Sequence, residues 1–492
     1  MIFFRRTVMT NKEKFLHEAR EAQVLGMVGG AGGDESKGLW TARVMDGFDA
    51  VARWGGGQNA GHSYGDFSLH LIPMGAVKGI PGYIGQGCLV NAVGAIQELA
   101  GINARFGIMP QLRIDRNCPL WTPYHRYLEI YIEKIKDTNA TGSTGQAIGP
   151  MAALDLLRTS VRTGMLLRPD LLRDGIEESY DILQPIFFQM QDLKWLGEVE
   201  HPEKVWTTLL HESSALHPFI TDVGFELREL LKNGKRIVAE GHQGTMLDPK
   251  FGTWPFVTAT PCTAHSISYG LGLPPNIRQQ VLLVTKTMPT RVGAGPFPSE
   301  IWDRESAKNF PTLHPELFRD GEPRTTFLES IRRKMNAEMS TDAATAAEIS
   351  QYFQVLAKEF GRTTGRGRSV GYFDVPWHRY SIIINDAKWV ALSLLDVLSG
   401  LKRIRYVKEY WVDGKRLKDG EVPASWTSKL QAYAADIDWD CWPENIYSCN
   451  SWGELPDGAK KYVERLQEAL GTPILATSTG PEEDSWMMVN IG

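Results

Sequence analysis

The feature that most constrains this sequence is a short apolar segment that runs directly into a glycine-rich loop and then into a helical segment. Residues 23–28 are largely apolar, the loop at 29–38 holds five glycines, and residues 39–45 follow with a helical pattern. A second apolar segment at 49–54 ends in another glycine-rich loop at 55–62. Strand, loop, helix and strand in this order are typical of a parallel sheet. We therefore predict an α/β fold with a large, mostly parallel central sheet and flanking helices.

Later segments repeat the pattern and add smaller elements. Four more apolar runs, each followed by a loop rich in Gly, Thr or charged residues, are predicted strands: 236–239, 281–284, 380–384 and 473–476. In a parallel sheet such loops gather at the carboxyl ends of the strands. The segment from Thr341 to Phe360 is helical in pattern and is followed by Gly361, which suits a helix end. Residues 403–417, with Asp413-Gly414 between two halves, predict an added antiparallel hairpin.

Composition narrows the class of protein. The chain has 492 residues, with 53 Lys and Arg against 58 Asp and Glu, so its net charge of −5 argues against a nucleic-acid-coating surface. Five cysteines without a C-x-x-C pair indicate neither a disulfide framework nor a zinc site. We find no signal-peptide core and no membrane-length apolar run. We expect a cytoplasmic protein without membrane or nucleic-acid partners, formed of an extension at 1–20 and a single α/β domain at 21–492.

The first glycine-rich loop has the outline of a phosphate site. Glycines between a strand and a helix let backbone N–H groups surround an anion at the positive helix end. The order Lys37-Gly38 fails the Walker A pattern, so a plain tight turn remains open. Asp34 and Glu35 beside a phosphate site would be explained by a magnesium ion. The alternatives are that Asp34 is a helix N-cap and Glu35 a solvated charge.

Other loops carry residues suited to anions and proton transfer. His62 follows the second glycine-rich loop and could donate a proton to a leaving phosphate, although a lone histidine is more often structural. Residues 361–368 hold three arginines and two threonines between glycines, which suits carboxylates or phosphates; a solvated basic loop is the alternative. Three more polar clusters, at 142–146, 240–245 and 257–260, follow the same pattern and are weak evidence singly.

Taken in order, these segments resemble the adenylosuccinate synthetase family. Its G-D-E-G-K-G motif corresponds to residues 33–38, its N-A-G-H motif to 59–62 and its T-T-G-R-x-R motif to 363–368. Further matches are G-[ST]-T-G at 142–145, E-G-x-Q-G-T at 240–245, T-x-P-[FY]-V-T at 253–258 and R-V-G-x-G-P-F-P at 291–298. The resemblance implies a P-loop-NTPase-like fold and a ligase that joins L-aspartate to a 6-oxopurine nucleotide while hydrolysing GTP.

The resemblance also implies the catalytic roles. Asp34 would remove the purine N1 proton, so that O6 attacks the γ-phosphate of the nucleoside triphosphate. His62 would stabilise or protonate the departing diphosphate, and Lys37 would offset charge on the transferring phosphoryl group. The aspartate amine would then displace the 6-phosphoryl group. Mg²⁺ is the implied cofactor, held by Asp34 and Gly61.

Binding residues follow from the same motifs. Those implied for the purine nucleotide are Ser36, Asn59, Thr144, Arg158, Gln243, Thr258 and Arg366. Those implied for L-aspartate are Thr363, Thr364, Arg366 and Arg368. Those implied for the nucleoside triphosphate are Gly33, Lys37, Gly38, Gly61, His62, Arg368, Asp396, Ser478 and Gly480. Arg158 would reach the nucleotide of a neighbouring subunit, which implies a homodimer.

Some positions depart from the family pattern. Ser36 replaces the usual glycine, Leu394 replaces the usual lysine before Leu-Asp, and Gly55 and Gly367 replace larger residues. Thr144-Gly-Gln and the residues after it resemble the viral branch that makes 2-aminoadenylosuccinate from (deoxy)guanylate. Phage members of that branch typically have a smaller hydroxyl residue at the position of Asp34, whereas this chain retains the aspartate. The expected substrate is therefore dGMP or GMP, with IMP as the alternative, and GTP or ATP as phosphoryl donor. A viral chain would act in the host cytoplasm.

Two further functions stay open at this point. The chain could be a catalytically silent GTP-binding regulatory protein, although Asp34, Lys37 and His62 are all present. It could also be a ligase for an amine other than aspartate, an alternative disfavoured by Thr364, Arg366 and Arg368.

Overall fold

The computed structural model describes residues 9–136, 145–291, 293–337, 344–360, 365–423, 426, 430–437 and 441–489. The helices among these residues are α1 (Asn11–Glu18), α2 (Lys37–Val44), α3 (Ala92–Phe106), α4 (Pro123–Lys136), α5 (Ile148–Leu156), α6 (Pro169–Asp192), α7 (Pro202–Glu212), α8 (Val223–Lys232), α9 (Ile267–Leu271), α10 (Arg304–Leu313), α11 (Glu322–Met335), α12 (Ala346–Leu356), α13 (Val375–Asn385) and α14 (Asp457–Leu470). None of them combines the length and the apolar character of a membrane span.

The strands in the same described ranges are β1 (Val24–Gly29), β2 (Ala50–Arg53), β3 (His62–Tyr64), β4 (Phe67–Leu69), β5 (Gly82–Ile84), β6 (Leu112–Asp115), β7 (Ile220–Thr221), β8 (Ile237–Glu240), β9 (Gln279–Lys286), β10 (Thr290–Arg291), β11 (Ser369–Val370), β12 (Phe373–Asp374), β13 (Trp389–Ser393), β14 (Ile404–Val412), β15 (Lys415–Arg416), β16 (Leu430–Ile437), β17 (Ile474–Ser478) and β18 (Trp486–Met488). The chain divides into two compact units, Gln23–Gln279 with Gly293–Pro296, and Met1–Ala22 with Gln280–Val292 and Phe297–Gly492. We call them the N-terminal unit and the C-terminal unit.

The N-terminal unit contains parallel strands in the order β1, β8, β2, β5, β6, β7. Every residue of β1, β2 and β8 is buried, as expected for parallel strands that are covered on both faces. Glu240, the last residue of β8, lies between Met27 of β1 and Arg53 of β2 in the strand register. The loops that follow these three strands therefore start side by side.

The C-terminal unit contains strands in the order β18, β17, β13, β9, of which only β18 is antiparallel to its neighbour. Smaller sheets join β10 to β11 and β14 to β15 and β16, all antiparallel pairs. Asp413 (φ 50°) and Gly414 (φ 76°) form the turn between β14 and β15. Two successive positive φ values are typical of a hairpin turn, so the predicted hairpin is confirmed.

One predicted strand is wrong. Residues 380–384 lie within helix α13, not in a strand. Asp374 caps this helix by accepting a hydrogen bond from the N–H of Trp377, and Pro376 fits its first turn. The buried residues Val375, His378 and Ile382 recur at helical spacing. An apolar run of five residues does not distinguish a strand from one stretch of a buried helix.

The fold class is confirmed: this is an α/β protein with mostly parallel strands, flanking helices and smaller antiparallel additions. The helix predicted for 341–360 is shorter, since α12 spans Ala346–Leu356 and Thr345 caps it, and Gly361 lies outside the described residues. The division into an extension at 1–20 and one domain from residue 21 stays a prediction. Among residues 9–22, α1 packs Phe15 edge-on against Trp486 at 6.5 Å between ring centres.

Candidate active site

The first glycine-rich loop connects β1 to α2 through an unusual backbone. Gly33 (φ 98°), Asp34 (φ 60°) and Ser36 (φ 70°) all have left-handed conformations. Such turns direct successive N–H groups towards a common point. Ser36 occupies the N-cap position of α2 and makes no side-chain capping bond. The interpretation of Asp34 as the helix N-cap is therefore wrong.

The side chain of Glu35 bonds to other residues of its own loop. Its side chain is buried, and its Oε1 accepts hydrogen bonds from the N–H groups of Gly33 at 2.8 Å and Ala31 at 3.2 Å. Its Oε2 lies 2.6 Å from the ammonium of Lys37, which is also buried. The interpretation of Glu35 as a solvated charge is wrong. Glu35 thus already occupies the N–H groups of Ala31 and Gly33, two of the donors in this loop.

Glycines bring neighbouring loops into contact with this one. A Cβ at Gly29 would lie 2.6 Å from the carbonyl oxygen of Gln243, so only glycine permits the two loops to approach so closely. The hydroxyl of Thr245 donates to the carbonyl of Gly29 at 2.8 Å and joins the same two loops. A Cβ at Gly38 would lie 2.7 Å from Cβ of His62, so α2 packs directly against this histidine.

His62 is held by a buried carboxylate. Its Nδ1 makes a short hydrogen bond to Oε1 of Glu240, whose Oε2 accepts the N–H of Met74 at 2.8 Å. The guanidinium of Arg53 lies 3.3 Å from the same Oε1 and also contacts the imidazole. Burial and the charge of Arg53 lower the pKa of His62 to about 4, against the opposing effect of Glu240. Burial acts to raise the pKa of Glu240, but His62 and Arg53 lower it overall.

Three of the residues implied for the purine nucleotide form one hydrogen-bonded chain. Nε2 of Gln243 donates to the carbonyl of Asn59 at 3.2 Å, and Nδ2 of Asn59 lies 3.4 Å from the hydroxyl of Thr258. The carbonyl oxygens of both side-chain amides are buried and have no hydrogen-bond partner in the described part of the chain. Buried acceptors in this state are costly, so they indicate a ligand that carries N–H or O–H donors.

In the C-terminal unit, Arg368 is held by a second buried carboxylate. Its Nη1 donates to Oε2 of Glu359 at 2.8 Å, and its N–H donates to the Glu359 carbonyl at 3.0 Å. Oε1 of Glu359 lies 2.6 Å from the ammonium of Lys286. One buried carboxylate thus pairs with two cations, and this cluster of three side chains carries one net positive charge suited to an anion.

The residues implied for the triphosphate base meet at the ends of β13 and β17. The hydroxyl of Ser478 accepts the N–H of Leu394 at 3.0 Å, and its carbonyl accepts the N–H of Leu395 at 3.1 Å. Asp396 follows directly and is partly buried. Leu394 itself has a left-handed backbone (φ 63°). Two hydrogen bonds from backbone N–H groups therefore join the Leu394–Asp396 turn to the Ser478–Gly480 loop.

Thr144, Thr363 and Thr364 lie outside the described residues. Of the remaining implied residues, the N-terminal unit holds Gly33, Asp34, Ser36, Lys37, Gly38, Asn59, Gly61, His62, Arg158, Gln243 and Thr258. The C-terminal unit holds Arg366, Arg368, Asp396, Ser478 and Gly480. Both Arg158 and Arg366 are exposed.

The family model described as adenylosuccinate synthetase matches residues 26–487. The chain belongs to the adenylosuccinate synthetase family. It is 32% identical to the adenylosuccinate synthetase of Bifidobacterium longum (strain DJO10A) over 470 residues, which cover 94% of this chain and 98% of that protein. The enzyme of Thermobifida fusca (strain YX) is also 32% identical, with 93% and 96% covered.

Solved structures agree with this assignment. The fully ligated adenylosuccinate synthetase from Plasmodium falciparum superposes with a TM-score of 0.75 at 26% identity and covers 95% of this chain and 100% of that one. The cyanophage S-2L succinoaminodeoxyadenylate synthetase (PurZ), bound to dGMP and dATP as an energy donor, has a TM-score of 0.54 at 15% identity, with 95% of each chain covered. The second likeness shows a shared fold alone. As a family member, the chain is a carbon–nitrogen ligase of purine biosynthesis that joins aspartate to a purine nucleotide.

Sequence reasoning assigned no role to several residues that shape the candidate site. Arg53 and Glu240 hold His62, while Lys286 and Glu359 hold Arg368. Glu240 begins the E-G-x-Q-G-T motif, and this position in a family motif could have indicated a role in the site. Glu359 lies directly before the loop of three arginines, and a carboxylate next to several cations is a weaker signal of the same kind.

Proposed function

We propose that this family member joins L-aspartate to C6 of (d)GMP, with hydrolysis of a nucleoside triphosphate, to form an N6-succinyl-2-amino-(deoxy)adenylate. The observation that carries the choice of (d)GMP is the serine at position 36, where the family usually has a glycine. The buried, unpartnered carbonyl oxygens of Asn59 and Gln243 belong to motifs that the whole family shares, and they support a purine nucleotide of either kind. A serine hydroxyl accepts hydrogen bonds, and the 2-amino group of guanine supplies donors that hypoxanthine lacks. We propose Ser36 as one acceptor for this amino group.

The chemistry proceeds through a 6-phosphoryl intermediate. Asp34 takes the N1 proton of the purine, and the electron pair moves to O6, which attacks the γ-phosphate and releases the nucleoside diphosphate. The aspartate amine then attacks C6, loses a proton and expels inorganic phosphate. Lys37, at the start of α2, offsets charge on the transferring phosphoryl group.

His62 responds to the phosphate charge. Since Glu240 accepts from Nδ1, the proton of the neutral ring lies on Nδ1 and Nε2 holds a lone pair. A bound polyphosphate raises the pKa of the imidazole through its negative charge, and the protonated Nε2 then donates to the departing diphosphate. Glu240 stabilises the imidazolium that results, because it is already ionised.

The residues of this site fit a magnesium ion. The side chains of Asp34, Glu35, Lys37, Arg53 and Glu240 comprise three carboxylates and two cations, so a polyphosphate needs a further positive charge here. The carboxylate of Asp34 and the carbonyl of Gly61 are the hard oxygen donors that Mg²⁺ prefers, and Mg²⁺ typically takes few protein ligands beside the phosphates. When bound, Mg²⁺ neutralises charge on the phosphate oxygens.

Three binding roles complete the proposal. Arg368, together with Arg366, Thr363 and Thr364, binds the carboxylates of L-aspartate. Asp396 and the Ser478–Gly480 loop bind the base of the triphosphate, with GTP as the expected donor and ATP as the alternative. Arg158, which is exposed beside the exposed side chains of Leu156 and Leu157, reaches the nucleotide of a second subunit in a homodimer.

IMP is the second candidate for the purine substrate. Asp34 is retained here, and the curated relatives at 32% identity are adenylosuccinate synthetases, both of which favour the housekeeping reaction. GMP and IMP differ only at the purine 2-position, and dGMP also lacks the 2′-hydroxyl of IMP. The choice between guanine and hypoxanthine therefore depends on whether an acceptor such as Ser36 meets a 2-amino group.

A substrate matrix tests the proposal. Purified enzyme is given dGMP, GMP or IMP with GTP or ATP, with and without L-aspartate, and phosphate release and product mass are measured. We expect aspartate-dependent phosphate release and a higher kcat/KM for dGMP or GMP than for IMP. Preference for IMP would support the second candidate, and release that ignores aspartate would refute ligase chemistry.

A variant pair ties the activity to the site. Asp34→Asn should lower kcat about 10²- to 10⁴-fold, since it removes the base while keeping the size of the side chain. Asp66→Asn, at an exposed aspartate paired with Arg105, should leave kcat unchanged. Activity retained in the Asp34 variant would remove Asp34 from the mechanism.

A further inference from the structure

The turn at Leu394 leaves the base of the triphosphate without one expected contact. Where the family pattern has a lysine, whose stem could cover a nucleobase, this chain has Leu394. The backbone of Leu394 is fixed from both sides, because its N–H donates to Ser478 and its carbonyl accepts the hydroxyl of Thr287 at 2.6 Å. A base bound here would need another flat surface beside the Ser478–Gly480 loop.

Tyr447 is such a surface. Its side chain is 43% exposed although it is aromatic, and its ring lies directly against Gly480. A Cβ at Gly480 would be 2.7 Å from Cε2 of Tyr447, so a glycine is needed for this approach. The ring thus borders the loop that is proposed to bind the base.

The backbone around Tyr447 is fixed in place. Ile446 is fully buried, and the N–H of Tyr447 donates to Oδ1 of Asn445 at 3.0 Å. The hydroxyl of Thr479 donates to the carbonyl of Cys449 at 3.0 Å, which joins this segment to the Ser478–Gly480 loop. Tyr447 is therefore positioned before any ligand arrives, which reduces the entropy cost of a contact.

The phenol of Tyr447 is uncharged near pH 7, because its ordinary pKa is already 10. Burial, Glu482 and Asp396 together raise the pKa of Tyr447. The hydroxyl lies 3.4 Å from Oε1 of Glu482, at the edge of the ring and away from its faces. An uncharged aromatic ring close to Asp396 is suited to stacking on a nucleobase whose edge the carboxylate reads.

We propose that Tyr447 stacks on the base of the nucleoside triphosphate and supplies the flat contact that a lysine stem would otherwise provide. This inference rests on the proposed triphosphate site at Asp396 and Ser478–Gly480. Stacking accepts any base, because every base has an aromatic face, whereas Asp396 discriminates by matching the N1–H and N2–H donors of guanine. Tyr447 would therefore contribute to the affinity for any nucleoside triphosphate, and Asp396 to the preference for guanine.

Equilibrium binding tests the assignment without the ligase reaction. Calorimetric titration of the full chain with the β,γ-imido analogues of GTP and ATP gives Kd for the wild type, Tyr447→Ala and Tyr447→Phe. We expect Tyr447→Ala to weaken both analogues about tenfold and Tyr447→Phe to stay within about twofold. The matched control, Tyr269→Ala, alters a tyrosine that is 77% exposed in the N-terminal unit and should change neither Kd.

Several results of these titrations would contradict a stacking role for Tyr447. Unchanged binding in Tyr447→Ala, an equal loss in Tyr269→Ala, or a loss confined to the GTP analogue would overturn it, since stacking does not depend on the base. Weakened binding in Tyr447→Phe equal to that of Tyr447→Ala would assign the effect to the hydroxyl and would also overturn it. If the wild type binds neither analogue, the proposed triphosphate site fails and this inference fails with it.

Discussion

Ser36 has a left-handed backbone conformation (φ 70°) and stands at a position where the family usually has a glycine. A side chain in this conformation costs about 1 kcal/mol relative to glycine. We predict that Ser36→Gly raises Tm slightly and lowers the ratio of kcat/KM for dGMP to that for IMP, because it removes the proposed acceptor for the 2-amino group. Parallel kinetics with both nucleotides and a thermal melt measure this; an unchanged ratio would remove Ser36 from purine selection.

We predict that buried Asp374 makes the stability of the folded protein depend on pH. Burial raises the pKa of Asp374 to about 7, although hydrogen bonds from Tyr410 and Trp377 act to lower it. The folded protein therefore keeps a proton that the unfolded chain releases near its ordinary pKa of 3.8. The stability that this proton provides is complete below about pH 4 and is lost as pH rises through about 7.

Asp374→Asn should remove this dependence and still cap α13, since asparagine is a good N-cap residue. We predict that Tm of the variant minus Tm of the wild type increases between pH 4 and pH 8. Melts at four pH values in this range measure the difference. Asp303→Asn, at the exposed N-cap of α10, is the control and should give a constant difference from pH 5 to pH 8. A flat difference for Asp374→Asn as well would contradict the shifted pKa.

At the scale of elements, helix α2 and His62 depend on one glycine. A Cβ at Gly38 would lie 2.7 Å from Cβ of His62, so Gly38→Ala should displace the imidazole from Glu240. We predict a loss of about 10²-fold or more in kcat without loss of the fold, because alanine is itself a better helix former than glycine. Circular dichroism and steady-state kinetics measure the two effects.

Gly175→Ala in the middle of α6 is the matched control. Its added Cβ meets Sδ of Met165 at 3.5 Å, an ordinary contact, so Tm should rise and kcat should not change. A normal kcat in Gly38→Ala would show that the position of His62 tolerates displacement.

Also at this scale, the loops after β1, β2 and β8 could be predicted from their glycines and from the apolar runs before them, because both signals are local. The helix at 375–385 could not be assigned from its apolar run. Its decisive signals were the cap at Asp374 and Pro376, and they lie before the run in which a strand was predicted.

At the scale of the whole molecule, the proposed homodimer predicts complementation between two inactive variants. Arg158→Leu lacks the arginine that is proposed to reach the partner's nucleotide, and Asp34→Asn lacks the proposed base within its own subunit. A mixed dimer has one site with both residues intact. Random exchange between equal amounts of the two variants should therefore restore about one quarter of wild-type activity.

The measurement is phosphate release before and after the two variants are mixed under conditions that permit exchange, with light scattering to establish the oligomeric state. Each variant mixed with itself serves as the control. Absence of recovery in a demonstrated mixed dimer would exclude a shared site.

By itself, the sequence determined the α/β class, the adenylosuccinate synthetase family and the loops that carry Asp34, Lys37, His62 and Arg368, because strands, glycine-rich turns and motifs are local in the chain. Only the tertiary structure decided which charges meet. Glu240 holds His62 from 178 positions away in the sequence, and Lys286 reaches Glu359 across 73. A buried carboxylate is tolerated in the interior only when cations and hydrogen bonds compensate its desolvation. Those partners come from distant segments that meet only when the chain has folded, so no local pattern specifies them.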